Sequence, residues 1–167
     1  MIEERNLYDY IQNISVSSIA LHSFVLGYHN VAIHRDSMFS VYPKIEYVFF
    51  VLPIIYHKKS MEVFKTSTSI AKVLDKNRAI NIGLQDRAIK MVQQTYDGLN
   101  LAFSKKILTI DKKLMTIELL SPYEKKALPL IKDNISIREM QKSASRMGNI
   151  FAKTDERTLQ SVLNIRF

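Results

Sequence analysis

The stretch Ile45-Glu46-Tyr47-Val48-Phe49-Phe50-Val51-Leu52-Pro53-Ile54-Ile55-Tyr56 is apolar on every side of a helix and carries a proline near its end. It falls short of the roughly 20 apolar residues needed to cross a bilayer, and it contains Glu46, so it reads as a segment buried within protein. Pro53 lacks a backbone donor and opposes the carbonyl of Phe49. A kink there costs about 3 kcal/mol unless packing offsets it, so the helix is expected to bend, or to end near Leu52 and restart. In a chain of 167 residues such a segment is a large part of the core. The rest of the chain, or a partner subunit, must wrap around it.

Working outward, a helix is predicted from about Ser15 to Tyr28, with Val16, Ile19, Ala20, Phe24 and Tyr28 near one stripe and Ser15, Ser17 and Ser18 as caps. Residues 29–42 read as a loop ending at Pro43, a suitable first-turn residue. A short helix around Ser60 to Lys65 is followed by Thr66-Ser67-Thr68-Ser69, hydroxyls suited to capping another short helix through Leu74. After a loop at 77–81, the clearest amphipathic pattern places Leu84, Ala88, Met91, Val92, Thr95, Leu99, Ala102 and Phe103 on one face of a long helix. Leu108 and Ile110, then Met115, Ile117 and Leu119, alternate around Asp111-Lys112-Lys113, which predicts a small hairpin without a turn glycine.

Near the C-terminus, Ser136-Ile137-Arg138-Glu139 has the form of a capping box, with Ile135 and Met140 at the staple positions. Ile137, Met140, Ala144, Met147 and Phe151 then share a stripe, and Thr154 is expected to cap a last helix with Leu159, Val162 and Leu163 inward. The predicted fold is mainly α: one compact helical domain over 1–167, with a small β-hairpin and a C-terminal helix-turn-helix-like pair that would suit a winged-helix-like arrangement. No repeat and no long linker divides it.

Composition excludes more than it assigns. The absence of cysteine removes disulfides, thiolate nucleophiles and Cys-containing zinc sites, and suits a reducing compartment, so a cytoplasmic location is expected. The acids at Glu3 and Glu4 stand where a signal peptide would be basic, so export is not expected. His22, His29, His34 and His57 form no pair spaced for metal and read as structural. Gly27, Gly83, Gly98 and Gly148 stand singly, which leaves no phosphate-cradling loop and no nucleophile elbow. Asp155-Glu156 and Glu3-Glu4 read as helix-start charges rather than an acid/base pair. No enzyme activity, cofactor or metal is expected.

The formal charge is +8 from 24 Lys and Arg against 16 acids. The second half carries most of the surplus. This balance suits an anionic partner, or reflects a Lys-, Ile- and Asn-rich composition alone. The pairs Lys105-Lys106, Lys112-Lys113 and Lys125-Lys126 cluster around the hairpin and are candidate DNA contacts; a solvated rim is the plainer reading. Asp155 and Glu156 would oppose phosphates at the first turn of a recognition helix, which disfavours sequence-specific transcription control.

The apolar helix ending Val51-Leu52-Pro53-Ile54-Ile55-Tyr56-His57, the long central helix, and the terminal Val162-Leu163-Asn164-Ile165-Arg166-Phe167 together resemble one family. It is the small middle component of bacterial three-component ABC ATPase systems, a group that includes the small subunit of Lamassu-type antiphage defence. The resemblance extends over nearly the whole chain in the order of elements. It implies a non-enzymatic adaptor that sits with an SMC- or Rad50-like coiled-coil ATPase and an effector subunit, often a nuclease, coupling DNA sensing to effector release, with no membrane partner. The matching positions, Leu52, Pro53, Ile165, Arg166 and Phe167, are the candidate partner interface, with Phe167 equally readable as a last core residue. Deleting Ile165 to Phe167 is accordingly expected to weaken assembly more than it lowers the melting temperature. The competing expectation is a stand-alone winged-helix-like DNA-binding regulator.

Overall fold

A computed structural model describes residues 14–35, 40–126, 128 and 134–167. Its centre is not the apolar stretch but helix α1, Ile14–Ala32, in which every residue from Ala20 to Tyr28 is buried. The helix runs a turn past the predicted end at Tyr28, into residues expected to form a loop. Ser17, Ser18, His22 and Ser23 are buried with the rest, and each side chain makes a hydrogen bond. Ser18 donates to the carbonyl of Gly98 at 2.6 Å, Ser17 shares a hydrogen bond with Tyr56 Oη at 2.9 Å, and His22 Nε2 lies 3.2 Å from the carbonyl of Tyr123.

Small residues let other helices approach α1 closely. Its most extensive neighbour is α8, Ile135–Ala152. A Cβ placed on Gly27 would lie 2.1 Å from the carbonyl oxygen of Ser145, and one on Gly148 would lie 2.2 Å from that of Phe24. The two backbones therefore touch where these glycines face each other. On another side α7, Val92–Ser104, brings Gly98 so near that an added Cβ would sit 2.9 Å from Ser17 Cβ.

The apolar stretch forms two short helices, α2 (Ile45–Val48) and α3 (Val51–Ile55), separated at Phe49 and Phe50. Of the two expected outcomes the restart is the observed one, but the break falls before Leu52. Phe50 is the N-cap of α3, so Pro53 is its third residue, where a backbone N–H has no partner within the helix. The proline then costs no helical hydrogen bond. All five residues of α3 are buried, whereas Glu46 is exposed.

Helices α4 (Lys58–Thr66) and α5 (Ile70–Lys76) follow, with the Ser69 hydroxyl accepting the N–H of Lys72 at 3.3 Å as cap. The predicted long helix is two, α6 (Leu84–Lys90) and α7, jointed at Met91 with φ −102° and ψ 8°. Thr95 Oγ1 donates back to the Met91 carbonyl at 3.0 Å, a bond that competes with the helical ladder and bends it. The inward face is the predicted one: Leu84, Ala88, Thr95, Leu99 and Ala102 are buried.

Strands β1 (Leu108–Asp111) and β2 (Thr116–Leu119) form the expected hairpin, pairing Leu108 with Leu119 and Asp111 with Thr116. Without a glycine, the turn is closed by the Asp111 carboxylate, which accepts the N–H groups of Lys113 (2.7 Å) and Leu114 (3.0 Å), while Met115 takes φ 53°. The segment before α2 lies along β2, where Ile117 donates to the Pro43 carbonyl at 3.0 Å and Ile45 to that of Met115 at 2.9 Å.

Two predicted caps are corrected. Asn134, not Ser136, caps α8, accepting the N–H of Ile137 at 3.2 Å; the box fails because Ser136 is already inside the first turn and Glu139 is drawn to Lys65. The expected staple fails with it, since Ile135 is 74% exposed. Helix α9, Glu156–Leu163, is capped by Asp155, which accepts the N–H of Thr158 at 3.0 Å, while Thr154 donates to the Ile150 carbonyl of the preceding helix. The mainly helical fold with one hairpin is the predicted one, and α8 and α9 form the C-terminal pair.

Gly27→Ala or Gly148→Ala should cost about 3 kcal/mol, because the methyl group meets backbone that cannot swing aside. Urea unfolding of the two variants measures it. His22 is held neutral by burial, its pKa lowered. Its contribution is thus present above the ordinary histidine pKa and is lost as the pH falls through its depressed value. Thermal melts of His22→Gln across mildly acidic pH should show that loss diminished relative to wild type.

Candidate partner interface

The residues singled out by the C-terminal and Leu-Pro motifs lie mostly inside the molecule. Leu52 and Pro53 are buried, Leu52 fully, and Ile165 is 2% exposed. Phe167 is half-buried, its ring 4.8 Å from that of Tyr47 and 5.4 Å from that of Phe50. Tyr47 in turn meets Phe151 edge-on at 5.8 Å, so the chain terminus is built into the aromatic core. Arg166 alone of the five is exposed; its backbone N–H donates to Gln85 Oε1 at 3.0 Å. Burial thus adds a stability cost to the truncation. Deleting Ile165–Phe167 should lower folding stability by roughly 3 kcal/mol, read from denaturant midpoints, before any effect on assembly is considered.

The six candidate lysines are all exposed, but they do not form one patch. Leu120 donates to the Ile107 carbonyl just beyond the Leu108–Leu119 pair, so Lys105 and Lys106 lie at the same end of the hairpin as the segment carrying Lys125 and Lys126. Lys112 and Lys113 occupy the opposite tip. Histidines are dispersed as well: His29 stacks on Tyr42 at 4.6 Å and His57 Nδ1 lies 2.7 Å from Ser60 Oγ. Among the described residues no three metal-ligating side chains come together, and no helix is long and apolar enough to cross a membrane.

The structure does bring together a set of residues that the sequence reading passed over. Between α1, α4 and α8 lies an open cleft of about 430 Å³, lined by Ser23 and Leu26 of α1, Lys65 of α4, and Arg138, Lys142 and Arg146 of α8. The three α8 cations recur at every fourth residue. Like charges at this spacing repel one another along a helix, so the stripe works against the stability of α8 by a few tenths of a kcal/mol per pair. The signal was legible as a helical period, but adjacent lysine pairs drew the reading to the hairpin instead.

Beside the cleft, an apolar groove of about 400 Å³ runs between the α3–α4 corner and the start of α8, lined by Ile55, Tyr56, Met61, Ile135, Ile137 and Met140. The ion pair of Lys65 with Glu139, at 2.7 Å, separates the two, for Lys65 lines the cleft and Glu139 the groove. Glu139 also takes Lys142 at 3.2 Å, and Lys65 also takes Glu62 at 2.9 Å. Hydrogen bonds from Lys65 and then Lys142 hold the Glu139 carboxyl below the usual glutamate range, and those to Glu139 and Glu62 raise the Lys65 ammonium. A depressed carboxyl stabilises the fold above its unfolded-state pKa, and the contribution disappears as the pH falls through the folded value. Acid titration of Glu139→Gln by circular dichroism should therefore show a shallower loss of stability at the acid end than wild type.

With an apolar groove, a cationic cleft and no reactive constellation on this face, the arrangement is suited to holding another molecule. Compared with known families, the chain matches over residues 1–167 the model described as ABC-three component (ABC-3C) system Middle Component 3. The chain belongs to that family. It is therefore a component of a multi-subunit ABC system. No curated protein and no solved structure matches this middle component.

Proposed function

We propose that this middle component is a non-enzymatic adaptor within an antiphage defence complex of the Lamassu-like kind. It bridges an SMC- or Rad50-like ABC ATPase and an effector subunit, a nuclease being the effector that suits such a system, in the cytoplasm and with only non-specific DNA contact. The observation that carries the reading is membership of a middle-component family along the whole chain. The α4–α8 face supports it, since an exposed apolar groove flanked by cations is a surface with more to gain from a partner than from water.

The stand-alone regulator finds less support. A recognition helix must offer its first turn to phosphates, and the first turn of α9 presents Asp155, occupied with Thr158, and Glu156, paired with Lys44. Co-expression with the other two subunits of its system supplies the test. The adaptor should be required for their co-purification, and alone it should show weak, salt-labile, sequence-blind binding to duplex DNA or none. Recovery of an ATPase–effector complex in its absence, or tight binding of one DNA sequence by the isolated chain, would refute it.

A further inference from the structure

We infer that the α4–α8 face is the docking site of an acidic amphipathic helix from another subunit of the system, an assignment that rests on the adaptor reading above. Two features of different chemistry lie side by side there, and the occupant must satisfy both. The groove offers Met61 and Ile137, both half-buried, over the buried Met140, with Ile135 standing 74% exposed at its edge. It accepts aliphatic or aromatic anchors. The cleft presents Lys142 and Arg146 one helical turn apart, about 6 Å along the axis of α8. Carboxylates spaced by one turn on a helix lying along α8 would meet both.

Nucleic acid fits this face less well. A phosphate backbone could follow the cations, but no aromatic ring lines the cleft they border, and the one ring of the groove, Tyr56, is half-buried with its hydroxyl hydrogen-bonded to Ser17 of α1. The distance from Ile135 to Arg146 along α8 corresponds to about three turns. A partner segment of that length, with apolar residues facing the groove and Glu or Asp facing the cleft, covers the exposed Ile135 and brings carboxylates to Lys142 and Arg146 in one contact.

The test uses the full chain and the two other subunits, each purified and titrated separately at low and high salt. Wild type should bind one of them. Lys142→Glu with Arg146→Glu should weaken that binding at least about tenfold at low salt and much less at high salt, whereas Ile135→Asp should weaken it about tenfold at both. These side chains are exposed, so unchanged melting temperatures confirm that the variants are folded. Should wild type bind neither subunit, the adaptor reading falls and this site with it. Should wild type bind while both variants match it, the adaptor reading stands and the face is not the site. If the variants lose binding to a short duplex DNA yet keep the subunit, the face is a nucleic-acid surface and the proposal is overturned.

Discussion

Everything in this molecule is arranged around the contact of two helix backbones at Gly27 and Gly148. With no Cβ on either side, α1 and α8 approach until each meets the other's main chain, and Phe24 can then reach Phe151 at 5.5 Å. That pair seeds the aromatic cluster that extends through Tyr47 to Phe167. Helix α1 is thereby committed to the interior. Its serines and His22 must be satisfied inside the protein, and Gly98, Tyr56 and Tyr123 supply the partners. A polar sequence at the centre of a small domain is tolerable because nearly every such group is matched, Nδ1 of His22 being left without a partner.

The same contact explains what could be read in advance and what could not. Hydrophobic period revealed the amphipathic helices and alternation revealed the hairpin, because in each case one face is buried and the other is wet. Helix α1 was also read from its apolar stripe, but its burial on the remaining faces was not. Its burial comes from small residues that permit close approach on several sides, so serines at 17, 18 and 23 resemble a solvated face. Isolated glycines likewise gave no hint that Gly27 and Gly148 face each other across more than a hundred residues. The caps of α8 and α9 were displaced for a local reason: Asn134 stands two residues before Ser136 and Asp155 one residue after Thr154, and in each case a carboxylate or amide oxygen reaches the first-turn N–H groups as well as a hydroxyl does.

Of the candidate site, the sequence displayed the ingredients but not their grouping. Leu52, Pro53 and Ile165 stand out in a motif because they are apolar, which is equally why the fold consumes them. Doubled lysines are conspicuous in a string of letters, yet neighbours along an extended segment or a turn diverge in space. Arg138, Lys142 and Arg146 are separated by three other residues each time in the string and adjacent on the helix. What an adaptor shows to its partners is the residue of charge and grease that its own core did not need, and on this chain that remainder is concentrated where α4 meets α8.

The distance in sequence between α1 and α8 also governs how the polypeptide can be made. The helix that forms the centre is synthesised about a hundred residues before the helix against which it packs most extensively. During translation α1 therefore leaves the ribosome with no surface to close upon, and must be shielded by nascent-chain helices, a chaperone or other company until α8 arrives. However early the central helix appears, the interior stays incomplete until α8 has been made.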